Sequence, residues 1–181
     1  MKKHNGHFSY IATLYFILFV LVIIASILQI HTYLIIKDNT EDALAASNLA
    51  SAVIDVEEYG INHNIVVSNP DNAYRLFQDA LKINMGLDEE WNSTDHSGIS
   101  GEVIIQEYII YNVRGSNVDI YHFGNTTYFH TVAGGLGIVE APNGQKIEST
   151  SVYSKISFTV EGIFNIRTEA VKDNLVDIVK N

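Results

Sequence analysis

The stretch from Tyr10 to Ile36 contains no Asp, Glu, Lys or Arg. A helix crossing a hydrocarbon core roughly 30 Å thick needs about 20 predominantly apolar residues. This stretch exceeds that length, and tilt accommodates the surplus. Its centre, Leu14 to Ile24, is almost wholly aliphatic and aromatic. Each such residue favours insertion by roughly 0.3–0.6 kcal/mol near the helix centre, which outweighs Ser26, Gln29 and His31 toward one end. Tyr10, Tyr15 and Tyr33 suit the interfacial belts. A cleaved secretory signal would have an apolar region of about 7–15 residues and a small-residue cleavage site. Here the run is too long, and Ala25-Ser26-Ile27 is a poor site. The sequence therefore predicts a retained single-pass anchor. Lys2 and Lys3 precede the span, which places residues 1–9 as a cytoplasmic stub and the remainder outside the cell membrane. A stub this short carries no output domain, so function is expected outside or within the bilayer.

The charge beyond the span narrows the partners. Every Asp and Glu lies at or beyond Asp38. Of the 11 basic residues only Lys2 and Lys3 precede the span, leaving 9 against 21 acidic ones, a net of −12. Such a domain repels phosphate backbones, so nucleic acid is excluded as a partner. The chain contains no cysteine, which removes disulfides, thiolate catalysis and Cys-ligated metals.

From Lys37 to Gly60 there is no proline and no internal glycine. Ala45, Leu49, Ala52 and Val56 recur at helical spacing. The pattern predicts a helical extension of the span over 37–60, with that small-residue face packing on the chain's own domain or on other subunits. Together with Gln29 and His31 it forms a candidate helix–helix assembly face. Residues 61–181 read as an extracytoplasmic α+β domain. Ser68 or Asn69, Pro70 and Asp71 punctuate the start of a helix whose stripe is Tyr74, Phe77 and Leu81, and Gly86 ends it. From Glu102 the period becomes two. Strands are predicted over 102–113, 117–124 and 126–132, the last two separated by a Gly124-Asn125 turn. Asn143-Gly144 is a further turn signal. Over 151–162, Val152, Ile156, Phe158 and Val160 alternate with polar residues, as in a half-buried antiparallel strand. Residues 163–170 and 174–179 supply one or two more. The fold class is α+β: one transmembrane helix continuing into a soluble helix, packed on an antiparallel β-sheet.

No constellation of reactive side chains emerges. Asp95, His96 and Ser97 are consecutive, so their side chains diverge and form no relay. His122 and His130, with Asp119 nearby, lack the third ligand and convergence that a metal needs. The glycines at 134–137 are not followed by a Lys-Ser/Thr pair, so they do not form a phosphate loop. Asn92 and Asn125 begin glycosylation triplets, whose meaning depends on the host. No catalytic, cofactor-binding or metal-binding residue is assigned, and a non-enzymatic protein without cofactor is expected. Two readings follow. One is a membrane-anchored assembly subunit. The other is a tethered ligand-binding or sensory domain acting through a partner, its small ligand unknown.

The basic stub with a glycine, KKHNG, the apolar helix from Ala12 to Lys37 and the Ala-rich extension from Asp38 to Gly60 resemble the TadE-like minor pilins (pseudopilins) of tight-adherence-type pilus systems. The strand around SVYSKISFTVEGIF matches that family in layout. The resemblance implies a component of a pilus assembly or secretion apparatus whose partners are the lipid bilayer, other pilin-like subunits and pilus platform proteins. It also implies leader-peptidase cleavage after Gly6, leaving His7 as the first mature residue. The family's glutamate at the fifth mature position is Ile11 in this chain. An anchored accessory role requires neither that glutamate nor cleavage.

Overall fold

The computed structural model of the protein describes residues 5–94, 98–162 and 166–178, with residues 5–9 described by their backbone alone. Helix α1 runs unbroken from Asn5 to Ser51, 47 residues. At 1.5 Å per residue this is roughly 70 Å of helix. It stops before the end of the predicted extension. Ser51 turns its hydroxyl back onto the Asn48 carbonyl (2.7 Å), and the Val53 amide bonds the Ser51 carbonyl (2.9 Å). Ile54 then pairs with Val67 in an isolated antiparallel bridge. Val53 and Ile54 are β-branched and favour this extended path.

Asp55 restarts the helix. Its carboxylate accepts the Glu58 amide at 3.0 Å and caps α2, Val56–Asn62. Helix α3 spans Pro70–Met85 with the expected punctuation. Asn69 accepts the Asn72 amide, Pro70 opens the first turn, and Gly86 (φ 62°) closes the helix in the left-handed region. The Leu87 amide bonds back to the Lys82 carbonyl at 2.8 Å, completing a Schellman-type stop. Its buried stripe is Ala73, Phe77, Leu81 and Met85.

The five strands are β1 (Ile99–Arg114), β2 (Asn117–Gly124), β3 (Tyr128–Val132), β4 (Ser151–Glu161) and β5 (Arg167–Asp177). They form one antiparallel sheet in the order β3-β2-β1-β4-β5. A two-residue turn, with Gly115 at φ 59°, joins β1 to β2. Strand β1 begins three residues before the predicted start, and its pairing with β4 shifts register around Ile105 and Glu107. Gly124 faces that bulge, with its Cα so placed that a Cβ would lie 2.5 Å from the Gln106 carbonyl oxygen.

The topology explains the core. One sheet face packs under α1 and α3: Leu44, Phe77, Leu81, Tyr108, Ile110, Val152 and Ile156 are all fully buried there. Tyr74 stacks on Phe123 (5.0 Å between centroids), and Phe77 meets Tyr108 at 4.7 Å. Strand β3 lies at the sheet edge while β4 lies beside β1, so the connection 133–150 must cross the other face. Ala141 and Ile147 of that connection close a second core over Ile109, Tyr111, Val118 and Tyr153. Strand β4 is consequently buried on both faces along much of its length, not half-buried as its alternation predicts. Ser151 and Ser154 are fully buried, and Tyr153 is almost so.

Candidate membrane anchor and assembly face

Helix α1 is two structures in one. Its most apolar 18-residue stretch has a mean hydropathy of 2.9, and none of that stretch is buried by the rest of the chain. Leu18, Leu21 and Val22 are each half or more exposed. An uncovered apolar surface this long could span a membrane. From Gln29 onward the helix is gripped by the domain. Gln29 donates a hydrogen bond to the Tyr33 hydroxyl. Gly162 sits so close that a Cβ there would lie 2.0 Å from Gln29 Nε2 and 2.6 Å from the Tyr33 oxygen. Ile36 is buried among the core residues, and its Cδ1 lies 2.5 Å from where a Gly98 Cβ would stand. The stretch left free of the domain is therefore Tyr10 to Leu28, about 28 Å at helical rise, close to one bilayer core. The sequence reading extends the span to Ile36.

The buried face of the upper half is unlike the one predicted. It consists of Ile36, Thr40, Ala43, Leu44, Ser47, Asn48 and Ser51. Its hydroxyls are satisfied within the helix: Thr40 donates to the Ile36 carbonyl (2.7 Å) and Ser47 to the Ala43 carbonyl (2.6 Å). Small side chains with internally satisfied hydroxyls let α3 and the sheet approach closely. Polar bonds then fix the register. Asn48 Nδ2 donates to the Asn174 carbonyl at 3.3 Å, and Asn84 Nδ2 of α3 donates to Ser47 Oγ at 3.0 Å. Lys172 Nζ pairs with the Glu41 carboxylate at 2.6 Å. That lysine, by hydrogen bond and then by charge, holds the Glu41 carboxyl below its ordinary range. The Tyr108 hydroxyl donates to Ser51 Oγ at 2.8 Å and ties the end of α1 to the centre of the sheet.

The predicted assembly residues are dispersed by this arrangement. Ala45 and Leu49 lie on α1, and Leu49 is 57% exposed. Ala52 lies past the end of α1, and Val56, 79% exposed, belongs to α2, so the four do not form one helical stripe. Leu49, Val53, Ile54 and Val56 instead leave an exposed apolar shoulder where the helix ends. Gln29 faces the domain, while His31 is exposed on the other side. Gly6 and His7 lie in the first turn of α1, and their side chains are outside the described residues.

The polar groups elsewhere are structural in their contacts. Asp95, His96 and Ser97 lie outside the described residues. His122 and His130 share one sheet face, and His122 stacks on Tyr128 at 4.7 Å. Asp119 points to the opposite face, where it takes the Arg114 guanidinium and the Thr131 hydroxyl (2.6 Å). The strand alternation thus separates this aspartate from both histidines. Arg114 also lies 3.6 Å from Glu58, whose carboxyl is held below its ordinary range chiefly by the amides of Asn64 and Asn62. Tyr108, Tyr111 and Tyr153 have their hydroxyl ionisation pushed up, burial being the leading cause in each. Among the described residues no cluster of three or more His, Asp or Glu side chains could hold a metal ion. No protein-family model matches the chain, nor does any curated protein or any solved structure.

Proposed function

We propose that this chain is a non-enzymatic, single-pass membrane subunit of the pilin-like class, a component of a pilus assembly or secretion apparatus, with its α+β domain held outside the cell. One observation carries the reading. A single helix supplies both an uncovered apolar half and the buried spine of the domain, with no linker between them. A tethered sensor needs only an anchor and a domain, and a flexible joint between them would serve. A subunit that must be packed at fixed height and angle against neighbours gains from a continuous helix. The exposed shoulder of Leu49, Val53, Ile54 and Val56 is the surface we assign to those neighbours. The resemblance of the stub, span and extension to TadE-like minor pilins supplies the partner class: other pilin-like subunits and a platform protein in the same bilayer.

The test is made on the full chain in its own membrane. Cysteines introduced singly at Leu49 and at Val53 are cross-linked, and the products are identified by mass spectrometry. The expected result is cross-linking to pilin-type membrane subunits, with Leu49→Glu abolishing it, and loss of surface appendages or secretion on deletion. A chain that remains monomeric, and whose deletion leaves both processes intact, overturns the proposal. The same mass spectrometry reads the mature N-terminus, where a start at His7 supports pilin-type processing.

A further inference from the structure

We infer that Ile166, just before β5, is a second membrane-contact point, seated in the outer edge of the bilayer beside α1. The inference rests on the reading that α1 spans the membrane. Strands β4 and β5 close toward the span: the Gly162 amide bonds the Ile166 carbonyl at 2.9 Å, and Gly162 itself lies against Gln29 and Tyr33. Beyond that contact an open groove of about 450 Å³ is walled by Leu18, Leu21, Val22 and Ala25 of α1, with Ser26 and Gln29 at its upper end, and by Ile166 on the other side. Ile166 is 54% exposed.

The occupant follows from continuity. Leu18 to Ala25 lie inside the stretch free of the domain, so whatever medium bathes them also bathes Ile166. With the free stretch ending at Leu28, Ala25 lies about 4–5 Å and Val22 about 9 Å below its outer end at 1.5 Å per residue. Ile166 is thus at the level of the upper acyl chains, and lipid tails fill the groove. The polar groups change at the matching height. Arg167 follows immediately, 67% exposed at its side chain, and pairs with Glu161 at 3.2 Å. Gln29, His31 and Tyr33 stand at the same level on α1. These are headgroup-layer residues around the apolar side chain of Ile166. Glycine at 162 makes the approach possible, since any side chain there would meet Gln29. A contact at Ile166, with Gly162 against the helix, fixes the rotation of the domain about the helix axis relative to the membrane, which a lone span does not do.

The natural absence of cysteine makes the test clean. Single cysteines at Val22, Ile166, Arg167 and Ile61 are spin-labelled in the full chain, in phosphatidylcholine–phosphatidylglycerol vesicles. Collision with oxygen, which concentrates in lipid, is compared with collision with a water-soluble nickel chelate. Ile61, 69% exposed on α2 beyond the end of α1, gives the water reference. The expected result is a lipid reading at Val22 and Ile166 and an intermediate one at Arg167. Water readings at Ile166 and Arg167, equal to that of Ile61, with lipid at Val22, overturn the inference while leaving the span standing. Water at Val22 as well overturns the span reading and the inference with it. Should Ile166→Cys not fold, the Arg167 label decides alone, since a reading equal to Ile61 refutes the contact.

Discussion

Removing the smaller of two hydroxyls at the end of α1 is expected to do more damage than removing the larger. The Tyr108 hydroxyl is fully buried and donates to Ser51 Oγ at 2.8 Å, while Ser51 Oγ donates onward to the Asn48 carbonyl at 2.7 Å. Ser51→Ala leaves the phenol in the core without an acceptor, among Phe77, Tyr74 and Phe123. A buried donor left unpaired costs about 1–3 kcal/mol. Tyr108→Phe removes the donor itself, and Ser51 keeps its bond to Asn48. That loss is the net value of one hydrogen bond, about 0.5–1.5 kcal/mol. In the double variant neither polar group remains, so it should be no less stable than Ser51→Ala alone. For a chain of this size 1 kcal/mol moves the melting temperature by roughly 2–4 °C, so Ser51→Ala should lower it by about 2–12 °C. Thermal unfolding of the full chain in detergent, followed by near-ultraviolet circular dichroism of the aromatic cluster, reads all three variants. The reasoning is refuted if Tyr108→Phe costs more than Ser51→Ala. It is equally refuted if the double variant loses the sum of the two.

Three further outcomes are expected. Asn112→Ala removes a clamp in which Asn112 Oδ1 accepts the Val67 amide (2.8 Å) and Nδ2 donates to the Val67 carbonyl (3.1 Å). Both backbone groups are left buried at a cost of at least about 1–3 kcal/mol, and amide exchange at Val67 should accelerate. Gly124→Ala sets a Cβ 2.5 Å from the Gln106 carbonyl at φ 139°. It should lower stability by about 1–3 kcal/mol in urea unfolding, whereas Gly101→Ala, with open space around it, should cost less. Glu41 should titrate below 4.5 in carbon-detected NMR and return toward 4.5 in Lys172→Gln. Because the folded value is the lower one, the pair's contribution is present above the unfolded carboxyl's range. It fades as pH falls through the folded value.

Much of the domain's outline follows from local chemistry that any sequence displays. Asn69-Pro70-Asp71 and Gly86 bound α3 because capping and left-handed stops need those side chains. The candidate span is legible because a run of about 20 apolar residues without charge is itself the signal. Burial across the chain is less legible. The alternation in 151–161 describes one face of β4 correctly. Burial of Ser151 and Tyr153 depends on where β4 lies in the sheet and on the 133–150 connection crossing above it, and neither is encoded locally. The face of α1 was hidden for a different reason. Hydrophobic period favours Ala45 and Leu49, but α3 and the sheet together cover Thr40, Ser47, Asn48 and Ser51. Those residues look polar in sequence and act as small, internally bonded spacers in the fold. The end of α1 did leave a trace: Asp55 followed by Glu57 and Glu58 is a helix-start signal placed inside the extension.

With α1 spanning a bilayer as proposed, its unbroken course from Asn5 to Ser51 makes the domain a lever with no hinge. From Gln29 to Ser51 the helix rises roughly 35 Å. Helices tilt by about 0–40° in membranes. A tilt change of about 10° in the span would swing the Ser51 end sideways by roughly 6 Å, more than the roughly 4.8 Å between neighbouring strands. Bilayer thickness, lateral pressure or the pull of a neighbouring subunit would therefore be written directly into the position of the outer surface. A force applied at that surface would return by the same shaft to the acyl chains below.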